Sequence, residues 1–140
     1  MKTAVVYWSG TGNTAEMAEA VLEGMKSAGA DAVLMTASEA DSADLGAYDA
    51  FAFGCPAMGS EVLEEDEFQP MFDAAKSAIS GKPVALFGSY GWGDGEWMRS
   101  WERDCADSGI RLAAESVICC DAPDDDALER CRGLGEALAK

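Results

Sequence analysis

The 140-residue sequence predicts an α/β fold, a doubly wound parallel sheet of five strands with helices on both faces. Three observations carry that expectation. Short apolar runs alternate with longer segments whose apolar residues recur at helical spacing. The connections between them are short. The first apolar run also turns through two glycines directly into a helical pattern, as a phosphate-binding strand–loop–helix unit does.

Lys2 to Trp8 reads as the first strand, nearly continuous in apolar character because both its faces are covered. From Asn13 to Ala28, Met17, Ala18, Val21, Leu22, Met25 and Ala28 fall on one helical face and Glu16, Glu19, Glu23 and Lys26 on the other, with Gly29 as the stop. Ala32–Thr36 is the second strand, and Ser38–Ala47 an acidic connection with one short helix. The third strand runs from Asp49 to Cys55, where Pro56 ends it. A helix from Glu67 to Ala78 precedes a fourth strand, Val84–Gly88. The glycine-rich loop Ser89–Gly95 leads into a helix over Glu96–Ser108. Arg111–Cys119 is the fifth strand, and Asp124–Lys140 the last helix, with Leu128, Cys131, Leu134 and Leu138 inward.

The length suits a single domain over 1–140. No apolar span reaches membrane length and the start is not signal-like, so the chain reads as soluble and cytoplasmic. Acidic residues number 26 against 10 basic, a formal charge of −16, which argues against nucleic acid and for partners with basic faces. Histidine is absent, which removes Ser-His-Asp and Cys-His nucleophiles and histidine zinc sites. The five cysteines, Cys55, Cys105, Cys119, Cys120 and Cys131, have no metal-loop spacing and read as small buried thiols; no metal site is expected.

Chemistry gathers first in Ser9, Gly10, Thr11, Gly12, Asn13 and Thr14. A helix N-terminus carries unpaired N–H groups and partial positive charge, the glycines allow close approach, and the hydroxyls add donors. The loop lacks the Gly-Lys-Ser/Thr of a triphosphate-hydrolysing loop. Gly10, Gly12 and Ala15 do match the dinucleotide pattern, but Asp31 stands at the beginning of the second strand rather than at its end, where a ribose carboxylate belongs. Four polar side chains in six positions suit a terminal phosphate monoester. Ligands bind such sheets at the carboxyl ends of the strands, so this loop should meet Pro56–Glu61 and Ser89–Gly95 on one edge.

Taken together, Tyr7-Trp-Ser-Gly-Thr-Gly-Asn-Thr14, Cys55-Pro-Ala-Met-Gly-Ser-Glu61 and Ser89-Tyr-Gly-Trp-Gly-Asp-Gly95 resemble the three FMN-contacting loops of the short-chain flavodoxins, low-potential electron carriers of anaerobic bacteria. Leu63-Glu-Glu65 and the Trp92/Trp97 pattern extend the likeness over nearly the whole chain. The resemblance implies a flavodoxin-like sheet ordered 2-1-3-4-5 and non-covalent FMN, with its phosphate on residues 9–14 and its ring between Pro56, Ala57, Met58, Gly59, Ser60 and Glu61 on one side and Ser89, Tyr90, Gly91, Trp92 and Gly93 on the other. Trp92 would be the outer stacking partner and Met58 the inner one. Gly59 would permit a peptide flip that favours the semiquinone, Glu61 would accept from flavin N3–H, and N–H groups near Gly91 and Trp92 would face the N1–C2=O edge. After the fifth strand, where family members often present an Asn near the ring, this chain has Cys119-Cys120.

The implied function is one-electron shuttling through the semiquinone/hydroquinone couple, without a substrate of its own. Acidic runs at 61–67 and 121–126 would rim the pocket, lower the second potential and steer basic-faced reductases and acceptors; a monomer is expected, with neither membrane nor nucleic acid as partner. Two alternatives stand beside it: an NAD(P)H-dependent FMN or quinone reductase on the same fold, and an acidic receiver domain. The receiver would need an acidic pair after the first strand, where Trp8-Ser9 stands.

Overall fold

The computed structural model describes residues 1–59, 61–91 and 93–139. Its elements are β1 (Lys2–Tyr7), α1 (Asn13–Ser27), β2 (Asp31–Thr36), α2 (Ala37–Ala40), a 3₁₀ turn (Leu45–Ala47), β3 (Ala50–Gly54), α3 (Phe68–Ile79), β4 (Val84–Tyr90), α4 (Glu96–Asp107), β5 (Val117–Cys120) and α5 (Asp125–Leu138). The strands pair in parallel in the order β2-β1-β3-β4-β5, as expected.

Alternation along the strands divides the core into two layers. Ala4, Val6, Phe51, Phe53 and Leu86 pack toward α3 and α4, against Phe68, Phe72, Trp97 and Trp101. Val5, Ala52, Ala85 and Phe87 pack toward α1 and α5, against Met17, Val21, Cys131 and Leu134. The first layer is aromatic: Phe53 meets Phe72 edge-on at 5.1 Å between ring centroids, and Phe68 meets Trp101 likewise at 5.4 Å. Each such pair adds roughly 0.5–1.5 kcal/mol to the area it buries. Among the described residues, no helix is long and apolar enough to cross a membrane.

β1, β2 and β3 differ from the sequence reading by a single residue at one or both ends, β4 and β5 by more, and the change in β4 reshapes the site edge. β4 runs two residues further than Gly88, because Ser89 and Tyr90 pair with Cys119 and Cys120; the third loop therefore begins at Gly91. The fifth strand is shorter than Arg111–Cys119. Leu112 touches Val84 through one isolated bridge, and regular pairing resumes only at Val117. The intervening Ala113-Ala-Glu-Ser116 has little of the branched or aromatic surface that holds a strand in place. Of the cysteines, Cys55, Cys105 and Cys131 are buried as expected, whereas Cys119 is half-buried and Cys120 is exposed.

Candidate cofactor site

The segments that follow β1, β3 and β5 continue the sheet's ladder beyond their strands, through four hydrogen bonds. Trp8 N–H donates to Gly54 O at 3.0 Å, Cys55 N–H to Phe87 O at 3.2 Å, Ala57 N–H to Ser89 O at 3.0 Å, and Asp121 N–H to Tyr90 O at 2.7 Å. This stagger brings the loops after β1, β3, β4 and β5 around one cleft of about 300 Å³, lined by Trp8, Gly10, Thr11, Asn13, Pro56, Ala57, Met58, Gly59, Ser89, Tyr90, Gly91 and Asp121. That volume lies at the small end of ordinary cofactor pockets.

At one end, residues 9–15 fold on themselves. Ser9 Oγ accepts from Gly12 N–H at 3.1 Å and from Ala15 N–H at 3.3 Å, and Gly12, in the left-handed region at φ 96°, caps α1. Among the described residues, the N–H groups of Thr11, Asn13 and Thr14 have no protein acceptor. Thr14 Oγ1 is buried and equally unpartnered. Unpaired donors around a helix N-terminus fit an anion. Ser9 and Gly12 line a second depression, with Tyr7, Trp8, Thr36, Ser38 and Glu67.

At the other end, Met58 N–H donates to Val62 O at 2.9 Å and Glu61 N–H to Met58 O at 2.8 Å, which ties Met58 to Glu61 and Val62. Beyond it, Glu64 folds back onto the segment that follows it. Its buried carboxylate accepts from the N–H groups of Asp66 at 2.9 Å, Glu67 at 2.7 Å and Phe68 at 2.8 Å, and so caps the approach to α3. Burial pushes this carboxyl up, but the three N–H groups outweigh burial and hold it below the ordinary value. Glu64 N–H in turn reaches Cys55 Sγ at 3.4 Å, and Trp97 Nε1 donates to Cys55 O at 3.1 Å. Burial pushes the Cys55 thiol up to about 12, so it remains a thiol and acts as packing, not as a nucleophile. Trp8 Nε1 donates to Glu67 Oε1 at 3.0 Å and ties the first loop to the second.

Glu61 stands apart from the cleft-lining residues. Its backbone is left-handed at φ 53°, its Oε1 is buried without a partner, and its carboxylate lies where a Cβ on Gly93 would have to be. Gly93, at φ 86°, is therefore excluded from bearing a side chain on two grounds. Ser60 and Trp92, both expected at the ring, lie outside the described residues. Two lining residues are new. Trp8 directly follows β1, and its position before Ser9 at a strand's carboxyl end could have flagged it. Asp121 corrects the reading of the fifth-strand loop: Cys119 and Cys120 belong to β5, and the residue that reaches the cleft is the next one.

The flavodoxin family model matches residues 5–135. The chain belongs to the flavodoxin family. It is 43% identical over 136 residues to a flavodoxin from Megasphaera elsdenii, covering 97% of each chain, and 44% identical over 135 residues to one from Clostridium beijerinckii, covering 96% of this chain and 97% of the relative. Among solved structures, that of two-electron reduced Megasphaera elsdenii flavodoxin superposes with a TM-score of 0.87 at 42% identity, covering 98% of both chains. A flavodoxin from the domain Archaea superposes with a TM-score of 0.86 at 29% identity, covering 99% of this chain and 96% of the other.

Proposed function

We propose that this member of the flavodoxin family is an FMN-binding electron carrier, which holds its cofactor non-covalently and passes single electrons between redox proteins through the low-potential couple. The carrying observation is the convergence of four strand-end loops on one cleft with an anion-ready helix N-terminus at one end and a wall of Pro56, Ala57, Met58 and Tyr90 at the other. Bound FMN would supply the one-electron chemistry; the chain supplies the placement.

In this reading the N–H groups of Thr11, Asn13 and Thr14 and the Thr14 hydroxyl hold the phosphate, with Ser9, Gly10 and Gly12 shaping the loop around it. Met58, Pro56 and Ala57 form the inner wall of the ring site, and Ser89, Tyr90, Gly91 and Gly93 frame its other side. Glu61 Oε1 is an unsatisfied acceptor ready for a ring N–H. Ser60 and the stacking role of Trp92 rest on the resemblance alone. Gly59 is not in the left-handed region here, and a Cβ on it would meet nothing within 4 Å among the described residues. An alanine would fit this conformation, and the peptide flip at Gly59 is proposed on the resemblance.

We also propose a cytoplasmic, monomeric single domain over 1–140, with no substrate of its own, docking basic-faced reductases and acceptors on an acidic rim. Glu65 and Asp66 on one side and Asp125 and Asp126 on the other supply that rim, and Arg99 is absorbed by Asp94 and Glu96 at 2.9 Å each. Neither the fold nor the relatives favour the reductase alternative.

Stepwise dithionite reduction of the FMN-reconstituted protein under argon tests the carrier. A long-wavelength band of the neutral flavin radical before bleaching is expected; direct passage from oxidised to fully reduced flavin, or failure to bind FMN, overturns the reading.

A further inference from the structure

The loop after β1 serves two depressions. Its residues Gly10, Thr11 and Asn13 line the FMN cleft, whereas Ser9, Gly12 and Ala15 line a second depression of about 360 Å³ at the carboxyl ends of β1 and β2. Among the described residues, Trp8 alone lines both. Its indole spans the boundary from end to end. Nε1 donates to Glu67 Oε1 at 3.0 Å, and Glu67 lines the second depression. At the other end of the indole, Cη2 of the six-membered ring lies 3.2 Å from where a Cβ on Gly10 would stand, and Gly10 lines the cleft. Glu67 is itself fixed, its N–H donating to Glu64 Oε1 at 2.7 Å.

The second depression lies where a dinucleotide-binding sheet keeps its other nucleotide. Gly10, Gly12 and Ala15 match the dinucleotide pattern, and in such folds the pyrophosphate crosses the loop after the first strand while the ribose beyond it sits at the end of the second. Here β1 and β2 are paired neighbours, and Tyr7, Thr36 and Ser38 line the space at their ends. Yet the loop offers donors for one phosphate only. Ser9 Oγ takes the N–H groups of Gly12 and Ala15, the two that belong to the second depression, and leaves those of Thr11, Asn13 and Thr14. No lysine or arginine lines either depression among the described residues, and Glu67 adds a negative charge that a second phosphate would meet.

We propose that Trp8, held by Glu67, is the specificity-determining residue that restricts the site to a mononucleotide flavin: its indole walls the cleft off from the depression that the adenylate half of a dinucleotide flavin would otherwise enter. The proposal rests on the FMN reading above and deepens it. Discrimination of this kind comes from obstructing the wrong ligand and not from a better bond to the right one. It therefore needs no contact with the flavin ring, which the two ligands share.

The test titrates the intact chain with FMN and with FAD by calorimetry and reads the ratio of the two dissociation constants. Wild type is expected to favour FMN. In Trp8→Ala that ratio should fall about tenfold, the low end of what a change in pocket size is worth in discrimination. FMN stays the tighter ligand there, because Ser9 still holds the N–H groups of Gly12 and Ala15. Trp8→Leu is read beside it, so that the proposal is decided even where the alanine variant does not fold. Trp8→Phe keeps a ring in the wall and should leave the ratio within about threefold of wild type. Adding Ser38→Trp to the alanine or leucine variant fills the second depression and should restore most of the discrimination. An unchanged ratio in the small variants, with FMN and FAD losing affinity alike as a purely structural role would have it, overturns the proposal. So does a ratio that Ser38→Trp does not restore, or a wild type that binds FAD at least as tightly as FMN. Wild-type protein that takes up neither flavin would instead overturn the function itself.

Discussion

At the phosphate end of the cleft the stabilising contacts are local, and at the ring end they are not. Ser9 is bound to Gly12 and Ala15, three and six residues away. The ring end joins Trp8 to Glu67 across 59 residues, Trp97 to Cys55 across 42 and Ser89 to Asp121 across 32. The difference matches what each end must do. A phosphate carries the same charge whatever the oxidation state of the flavin, so a rigid cradle built from one turn of chain suffices. The ring changes its charge and its hydrogen-bonding pattern with each electron, and its walls come from several segments whose relative placement the whole fold sets.

The largest way to break that comparison is to loosen the ring end without touching the cradle. Replacing Glu64 by Gln leaves one acceptor oxygen for the three N–H groups it now serves and turns an NH₂ toward Asp66 N–H. Hydrogen bonds to a charged acceptor are worth about 1.5–3 kcal/mol each and strand their donors when lost, so a total loss of about 3 kcal/mol in urea denaturation at pH 7 is expected. The pH dependence gives the sign. The folded carboxyl lies below its unfolded value of 4.5, so its contribution is fully present above that value and fades as pH falls through the folded one. The gap between wild type and Glu64→Gln should therefore narrow below about pH 4.5. An equal gap at pH 7 and in acid would show that the charge is not what holds the 64–68 segment.

A smaller effect, of a different kind, is expected at the cradle. Ser9→Ala removes the acceptor that orders Gly12 and Ala15, and FMN affinity should weaken about tenfold, the value of one or two net hydrogen bonds. Because the phosphate is the same in every redox state, oxidised and reduced FMN should lose affinity alike, and both midpoint potentials should stay where they were. A shift in either potential would mean that the two ends are coupled, contrary to the comparison.

The same division governs what could be read from sequence. The strand–Gly10–Gly12–helix pattern announces the cradle because its residues are contiguous and its logic is that of any helix N-terminus. The sheet order and the three loops came through a resemblance whose motifs are likewise contiguous. Glu64 was visible only as one acid in a run of five, since nothing in Glu61–Glu67 says which carboxylate turns inward to meet three N–H groups. Asp121 is legible only as the first acid of a run at the pocket rim and not as a lining residue, because the end of β5 is set by pairing with a β4 that runs two residues further than its sequence suggests. Trp8 was assigned to the first strand, one ladder bond short of being seen as a wall of the cleft.

The smallest expected effect separates the oxidation states most cleanly. A Cβ on Gly59 meets nothing within 4 Å among the described residues and the backbone there is not left-handed, so Gly59→Ala should bind oxidised FMN within about twofold of wild type. If Gly59 must reach a glycine-type conformation after the first electron, the methyl group costs about 1 kcal/mol in that state alone. The maximal yield of the flavin radical during reductive titration should then fall several-fold, with the two midpoint potentials drawn together. Equal radical yields in the variant and wild type would mean that Gly59 keeps one conformation throughout, and that the ring end is as rigid as the cradle.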